Sequence, residues 1–279
     1  MNFSRAIIQA ALAEDIGAGD VTSLCTIPAE AQAEAIMVAR QDLVVCGLDL
    51  VEAVFRELAP EAQIERRAAD AQSVAGGQPL LRVRAGARAI LAGERVALNF
   101  AQRLSGIATL TAKYVAAIAG TKTRILDTRK TTPGWRLLEK YAVACGGGVN
   151  HRFGLNDRIL VKDNHLAALR DEKPNAVAAA ARRARAMYPN LELEIEADTV
   201  AQAEQAAAAG VDVVLLDNMS NEQLRAAVQI VAGRARTEAS GGVNLANVRG
   251  IAETGVDFIS VGALTHSAPA VDIGLDFPG

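Results

Sequence analysis

The run Leu191-Glu192-Leu193-Glu194-Ile195-Glu196 alternates apolar and acidic residues, and an alanine-rich stretch, Val200–Ala209, separates it from the apolar run Val211-Asp212-Val213-Val214-Leu215-Leu216. Alternation with a period of two marks a strand, and the spacer has helical composition, so the segment reads as a strand–helix–strand unit with parallel strands. The pattern recurs outward from it. Strands are expected at Arg124–Leu126, Arg158–Val161, Leu191–Ile195, Val211–Leu216, Ala235–Ala239 and Asp257–Val261. Helices are expected at Asn175–Met187, Val200–Ala209, Glu222–Val231 and Leu245–Glu253. Six strands are two fewer than a regular eight-stranded barrel requires. The expected fold is therefore α/β, with an irregular C-terminal barrel of fewer than eight regular strands; an open doubly wound sheet is the rival.

The strand ends favour the barrel. They carry Asp127-Thr128-Arg129-Lys130, Lys162-Asp163-Asn164-His165, Glu196, Asp217-Asn218, Ser240-Gly241-Gly242 and Gly262. Barrel enzymes draw their chemistry from the C-terminal ends of several strands at once. Strands also end at polar turn residues for purely structural reasons, but that does not account for the Lys and Glu found among these ends.

The N-terminal part reads differently. A helix over Asn2–Ala13, a loop from Glu14 to Thr22, and short strands at Ala35–Arg40, Leu43–Cys46 and Leu80–Arg84 are expected, with a helix at Leu50–Leu58 among them. A long helix is expected from Ala87 to Ala119, with a break at Ser105-Gly106. Residues 1–115 form an α+β domain in this reading, packed on a barrel of residues 116–267, with the tail 268–279 able to pack back on the first domain.

Composition removes several function classes. The chain has 279 residues, 51% hydrophobic, 22% charged and 4% aromatic, with a net charge of −3. That is too apolar for disorder and too acidic and aromatic-poor for a nucleic-acid binder. No apolar run reaches the length of a membrane span, and the N-terminus lacks the layout of a secretory signal. Cys25, Cys46 and Cys145 are odd in number and far apart, which suits reduced thiols in a cytoplasmic protein.

The average charge hides a contrast. Residues 120–170 hold ten basic and four acidic residues, a balance of +6, which leaves −9 for the rest of a chain whose net charge is −3. The cations flank strand ends and the loop Gly146-Gly147-Gly148, not one helix face, and so point to a small polyanionic ligand. The glutamates of the opening strand need cations if buried, and Arg158 and Lys162 on a neighbouring strand share a face that supplies them. Glu194 and Glu196 are read as site residues and Glu192 as solvent-exposed. Glu196 and Asp217, at consecutive strand ends, suit Mg²⁺, directly or through water. Ser240-Gly241-Gly242 and Val261-Gly262-Ala263 suit a phosphate, since small residues let backbone N–H groups approach it and a helix N-terminus follows.

Longer motifs carry a resemblance. Asp127-Thr128-Arg129-Lys130-Thr131-Thr132-Pro133-Gly134, Cys145-Gly146-Gly147-Gly148-Val149-Asn150-His151-Arg152 and Lys162-Asp163-Asn164-His165 resemble the quinolinate phosphoribosyltransferase family. Glu14–Thr22, Glu94-Arg95, Leu104–Thr109, Leu216–Asn218, Glu238–Val243 and Val261–Ser267 fit it too, so the likeness runs nearly end to end; Trp135 stands where an aliphatic residue is expected. The resemblance implies that quinolinate and phosphoribosyl pyrophosphate give nicotinate mononucleotide, pyrophosphate and carbon dioxide, with Mg²⁺. It implies at least a homodimer, in which Arg95 reaches the neighbouring active site. By resemblance Arg95, Arg129, Lys130, His151 and Arg152 grip the dicarboxylate, with Thr128 beside them. Lys130 and Lys162 suit the pyrophosphate, Glu196 and Asp217 the ribose hydroxyls and metal, and the loops 240–242 and 261–263 the 5′-phosphate.

Three rivals stand beside this. A nicotinate-type transferase would need fewer cations. A lyase would use Lys162 or Lys130 as a Schiff base. A phosphate-ligand sensor would share the fold without the reaction.

Overall fold

A computed structural model describes residues 5–278. The chain begins with α1 (Arg5–Ile16), α2 (Val21–Thr26), β1 (Gln32–Ala39), β2 (Leu43–Val44), α3 (Leu48–Leu58), β3 (Gln63–Arg66), β4 (Ser73–Val74), β5 (Pro79–Gly86) and α4 (Ala87–Ala117). It continues with β6 (Arg124–Leu126), α5 (Arg136–Cys145), β7 (Ile159–Val161), α6 (Asp163–Ala168), α7 (Ala176–Met187), β8 (Leu193–Ala197) and α8 (Val200–Ala208). The last elements are β9 (Val213–Asp217), α9 (Asn221–Val231), β10 (Arg236–Ser240), α10 (Val248–Ala252), β11 (Phe258–Ser260), α11 (Ala263–His266) and β12 (Ile273–Asp276).

By internal contacts the chain divides into two compact units, one of residues 1–112, 132–147 and 267–279, the other of 113–131 and 148–266. The segment 132–147, which the sequence reading gives to the barrel, clusters with the first unit. It carries α5, whose helical pattern the sequence reading passed over. Glu139 explains its place: fully buried, it accepts from Arg103 Nη2 at 3.1 Å on α4 and from the backbone N–H and hydroxyl of Thr132 at 3.0 and 2.8 Å. Trp135, just before α5, stacks on Phe100 with ring centroids 5.0 Å apart, an arrangement that contributes about 0.5–1.5 kcal/mol beyond area burial.

The first unit holds a four-stranded antiparallel sheet in the order β12-β1-β5-β3 and a small β2-β4 pair. On β1, Ala35, Met37 and Ala39 face the core, as period-two alternation requires. α1 reaches Ile16 and α2 begins at Val21, where Asp20 caps it by accepting from Ser23 N at 3.1 Å. The expected loop over Glu14–Thr22 is thus confined to the few residues between these helices; the expected helix start at Asn2 lies outside the described residues. The expected break at Ser105-Gly106 is absent, and α4 runs through it. Gly106 serves close approach instead: a Cβ there would collide with the carbonyl oxygen of Pro269.

The second unit holds a six-stranded, all-parallel sheet in the order β6-β11-β10-β9-β8-β7. Its strands fall within two residues of expectation, and side-chain caps start the intervening helices: Asn175 for α7, Thr199 with Gln202 for α8, Ser220 with Gln223 for α9. α10 covers only Val248–Ala252 of the expected Leu245–Glu253. Among the described residues no ladder joins β6 to β7. On the free side of β6, Val149 forms a one-residue parallel bridge with Leu126, donating to Ile125 O at 2.8 Å and accepting from Asp127 N at 3.1 Å.

The sheet is curled, and side chains prove it. Strands four ladder steps apart, such as β6 and β8, would be about 19 Å apart in a flat sheet. Yet His151, whose N–H donates to Asp127 Oδ1 at the end of β6 at 2.8 Å, places Nε2 3.0 Å from Glu194 Oε2 on β8. Glu238 on β10 lies 3.5 Å from the same nitrogen. Side chains from alternate strands meet inside, as in a barrel. This decides against the open doubly wound sheet.

Candidate active site

Strand ends build the site. β6 ends at Leu126, and the next residues turn back at once: Lys130 N donates to Thr128 Oγ1 at 3.0 Å, while Lys130 O accepts from Thr265 Oγ1 at 2.7 Å. The Lys130 backbone is thereby pinned on both sides. Its side chain crosses Gly262, where an added Cβ would lie 3.0 Å from Lys130 Cδ. β7 delivers Lys162, whose N–H donates to His165 Nδ1 at 2.9 Å. β8 delivers Glu196, β9 Asp217 and β10 Ser240, with Asp217 and Ser240 paired across the ladder.

Thr128, Arg129, Lys130, His151, Arg152, Lys162, Glu196, Asp217, Ser240, Gly241 and Gly242 line one cavity of about 580 Å³, together with Leu160, Leu215, Asn218, Glu238 and Ser260. The first eleven of these, all anticipated from bare sequence or resemblance, come from chain segments at the ends of different strands, so their convergence is a property of the fold and not of local spacing. Val261, Gly262 and Ala263 are not among the lining residues. Val261 is buried, and Gly262 instead leaves room for the Lys130 stem. Arg95 sits exposed on α4 in the first unit and is likewise not among them.

The cations split into two kinds. Arg129 Nε is a buried donor with no protein partner. Burial, then the Arg129 charge, holds the Arg152 guanidinium below its ordinary value, with Glu194 and Asp157 pulling the other way and Arg158 adding to the repulsion. A site in which cations repel one another is made for an anion. Arg158 is of the second kind: it pairs with Glu192 and stands 3.5 Å from Glu194. Glu192 also pairs with Arg236, which corrects its reading as merely solvent-exposed. Lys122, paired with Asp257 at 2.7 Å, belongs to neither the cavity nor its base. The cationic window of the sequence is therefore not one patch.

The carboxylates split too. Glu196, Asp198 and Asp217 place oxygens within 4.8 Å of one another at the cavity. Burial, then the charge of Asp217, raises the Glu196 carboxyl above its ordinary value, partly offset by Lys162. Three hard oxygen donors in one place fit a divalent cation such as Mg²⁺. Below them, His151, Glu194 and Glu238 form a buried cluster. Burial, then the charge of Glu194, pushes the Glu238 carboxyl well above the carboxylate range. His151 accepts from Arg152 N at its Nδ1, 2.7 Å away, so both ring nitrogens have protein partners. That turns the imidazole toward the barrel interior more than toward a ligand.

Glycines shape the loop after β10. Gly241 and Gly242 adopt φ of +93° and +62°, and a Cβ on Gly241 would collide with Asn218 Oδ1. Asn218 is itself left-handed at φ +52° and donates to Ser240 O at 2.9 Å. The helix expected directly after this loop begins only at Val248, because Asn244 and Asn247 first turn back to bond Gly242 O. No helix N-terminus therefore stands directly behind this loop. Asn218, Glu238 and Ser260 were not singled out as site residues from sequence. The alternation of β10, which sets Glu238 and Ser240 on the same face, is the signal that would have found Glu238.

A curled parallel sheet whose strand ends gather cations, paired carboxylates and a glycine loop defines an α/β-barrel enzyme acting on phosphorylated, polyanionic substrates. Comparison with known proteins agrees. Residues 107–276 match the C-terminal domain, and residues 20–105 the N-terminal domain, of quinolinate phosphoribosyl transferase. The chain belongs to the quinolinate phosphoribosyltransferase family. It is 44% identical over 279 residues to a nicotinate-nucleotide pyrophosphorylase [carboxylating] of Mycobacterium leprae, covering 98% of this chain and 96% of that one. It is 41% identical over 287 residues to quinolinate phosphoribosyltransferase [decarboxylating] 1b of Nicotiana tabacum, covering 97% and 81%. A solved structure of nicotinate-nucleotide pyrophosphorylase from Francisella tularensis superposes with a TM-score of 0.93 at 39% identity, covering 99% of this chain and 98% of that one. Among the described residues no helix is long and apolar enough to cross a membrane.

Proposed function

We propose that the chain transfers the phosphoribosyl group of phosphoribosyl pyrophosphate to the ring nitrogen of quinolinate and releases carbon dioxide, giving nicotinate mononucleotide and pyrophosphate in NAD biosynthesis. One observation carries this reading: Arg129, Lys130, Arg152 and Lys162 converge with Glu196, Asp217 and the Ser240–Gly242 loop on a single cavity. A dicarboxylate needs several cations at once, and the guanidinium groups of Arg129 and Arg152 suit its planar carboxylates. The unpartnered Nε of Arg129 supports that use. Lys130 and Lys162 face the leaving pyrophosphate, and the amides of Ser240–Gly242 take the 5′-phosphate.

Transfer passes through positive charge at ribose C1, as in glycosidic cleavage. Glu196 and Asp217 stabilise that charge and hold the ribose hydroxyls. Mg²⁺ bound by Glu196 and Asp217, with Asp198 in reach, would supply charge neutralisation for the pyrophosphate. Ribosylation leaves a cationic ring nitrogen, whose charge stabilises the electron pair left on C2 when its carboxylate departs as carbon dioxide; that pair then takes a proton from water to form the C–H bond of the product. His151 serves the grip mainly by positioning: it ties Arg152 N to the inner glutamates. The residues do their work by placement and electrostatics. The family resemblance supports a cytoplasmic homodimer or larger homo-oligomer, in which Arg95 of one chain serves the site of the next.

The test is release of pyrophosphate and carbon dioxide from quinolinate and phosphoribosyl pyrophosphate, with nicotinate as the competing acceptor. Turnover of nicotinate alone would sink the reading.

A further inference from the structure

The first unit holds a cluster that the transfer reaction leaves unused. Cys46 lies between β2 and α3, and Cys145 is the last residue of α5. Their sulfurs and a carboxylate oxygen of Asp70 all lie within 4.8 Å of one another. All three residues belong to the same compact unit.

Both cysteines are held in place. Cys46 is fully buried, its N–H donates to Ser105 Oγ at 2.9 Å, and its carbonyl accepts from the same hydroxyl at 3.2 Å. Cys145 is followed by Gly146, where a Cβ would collide with Ala108 O and stand 2.6 Å from Thr111 Cβ. The end of α5 is thereby seated directly on α4. The sulfurs face each other because two backbones are fixed, not because two flexible side chains happen to meet.

Asp70 decides which chemistry the cluster suits. Its Oδ1 accepts from Leu48 N at 3.1 Å, and its Oδ2 accepts from Gly47 N at 3.1 Å and from Tyr141 Oη at 2.9 Å. It caps the start of α3 from outside the helix, a use that commits the carboxylate. The two sulfurs remain as the donors of the cluster, fewer than a structural metal site requires.

We propose that Cys46 and Cys145 are an oxidative modification site, a preformed thiol pair that oxidants of the peroxide class close into an intrachain disulfide. The thiolate of Cys145 attacks one oxygen of hydrogen peroxide, the O–O bond breaks, and hydroxide leaves to take up the proton that Cys145 lost. Cys145 is then a sulfenic acid. Cys46 Sγ attacks that sulfur, the S–O bond breaks, and the hydroxyl leaves as water with the Cys46 proton. Two thiols lose two electrons, and peroxide is reduced to two waters.

The order of events follows from the surroundings. A hydrogen bond from the Cys46 thiol favours the Cys145 thiolate against the cost of its burial. The bond to Cys145 and full burial keep Cys46 protonated, with the Asp70 charge acting in the same direction. Cys145 is half-buried, and Cys46 is shielded. That is the arrangement of an attacking and a resolving thiol. Cys25, exposed on α2, is the built-in control.

The test uses the full chain, reduced, freed of reductant and titrated with hydrogen peroxide, followed by thiol counting after denaturation and peptide mapping. The expected result is joint loss of two of the three thiols, Cys46 linked to Cys145, recovery with dithiothreitol, and a higher thermal midpoint for the oxidised form. Cys25→Ser should behave like the parent, and Cys145→Ser should leave Cys46 unreacted in the folded protein. Linkage through Cys25, joined chains, or conversion of Cys145 to a sulfinic acid while Cys46 stays free would overturn the proposal. So would stoichiometric zinc retention that protects both thiols, which would make the cluster a metal site instead. None of these readouts depends on quinolinate turnover.

Discussion

Glu194 and Glu196 stand two residues apart on the same face of β8, yet their neighbours differ completely. Glu194 is one layer down, sealed with Glu238, His151 and Arg158. Glu196 is at the mouth, beside Asp217 and the cations that line the cavity. In the lower layer, charge is answered by charge or removed by protonation, as the raised Glu238 carboxyl shows. In the upper layer, like charges are left beside each other: Arg129 with Arg152, and Glu196 with Asp217. One barrel interior thus has a sealed floor of buried acids beside His151 and Arg158, and an open mouth lined by like charges. The floor should govern stability, and the mouth should govern rate.

The sharpest way to break this contrast is at the floor. Replacing Glu194 and Glu238 together by Gln leaves the Arg158 and His151 positions without their inner carboxylates, and should cost about 3–5 kcal/mol in urea unfolding. Glu238→Gln alone should cost little near neutral pH, because the amide mimics the protonated acid. It should also flatten a pH slope. The folded state binds the Glu238 proton more tightly than the unfolded chain does, so parent stability falls as pH rises from the ordinary carboxylate range through the raised value. Stability that rose with pH over that window, and did so equally in the variant, would refute the protonated floor.

At the mouth, Lys130→Ala and Arg152→Ala should each lower kcat/KM by about 10²–10³-fold, the loss typical for one charge-stabilising donor. Their unfolding midpoints should stay near that of the parent, and for Arg152 the midpoint should not fall, since the cation is already repelled by Arg129. A large stability loss without a rate loss would place these residues in the floor. Gly241→Ala should cost about 1–3 kcal/mol from strain at φ +93° and contact with Asn218, and should raise KM for phosphoribosyl pyrophosphate more than for quinolinate. Chelation should abolish turnover, and Asp217→Asn should raise the Mg²⁺ concentration for half-maximal rate at least about tenfold, the loss that even an outer-shell partner produces.

The two layers were unequally legible in the sequence. Strand positions and polar strand ends follow from periodicity, which is local, so the mouth could be read from single segments. Glu194 was recognisable as a buried acid needing cations, and Arg158 as one source. What the sequence could not show is that His151, from beyond the glycine run, crosses the barrel to reach it, because that contact exists only once the sheet curls. For the same reason α5 went unread: its place depends on Glu139 meeting Arg103 on a distant helix. Gly106 looked like a helix break because glycine usually weakens helices, whereas here its missing side chain admits another strand of backbone.

The single bridge between Leu126 and Val149 has a consequence for motion. Two amides, those of Val149 and Asp127, close the ring on that side of β6, where β8 and β9 share a full ladder. They should exchange with deuterium sooner than the amides of β8 or β9, as the ends of a clasp open before the band stretches. Because His151 and Arg152 lie just beyond Val149 and Asn150, each opening of the clasp should also loosen the part of the cavity wall that they form. The breathing of the barrel and the loosening of that wall should then be one movement, read by the same two hydrogens.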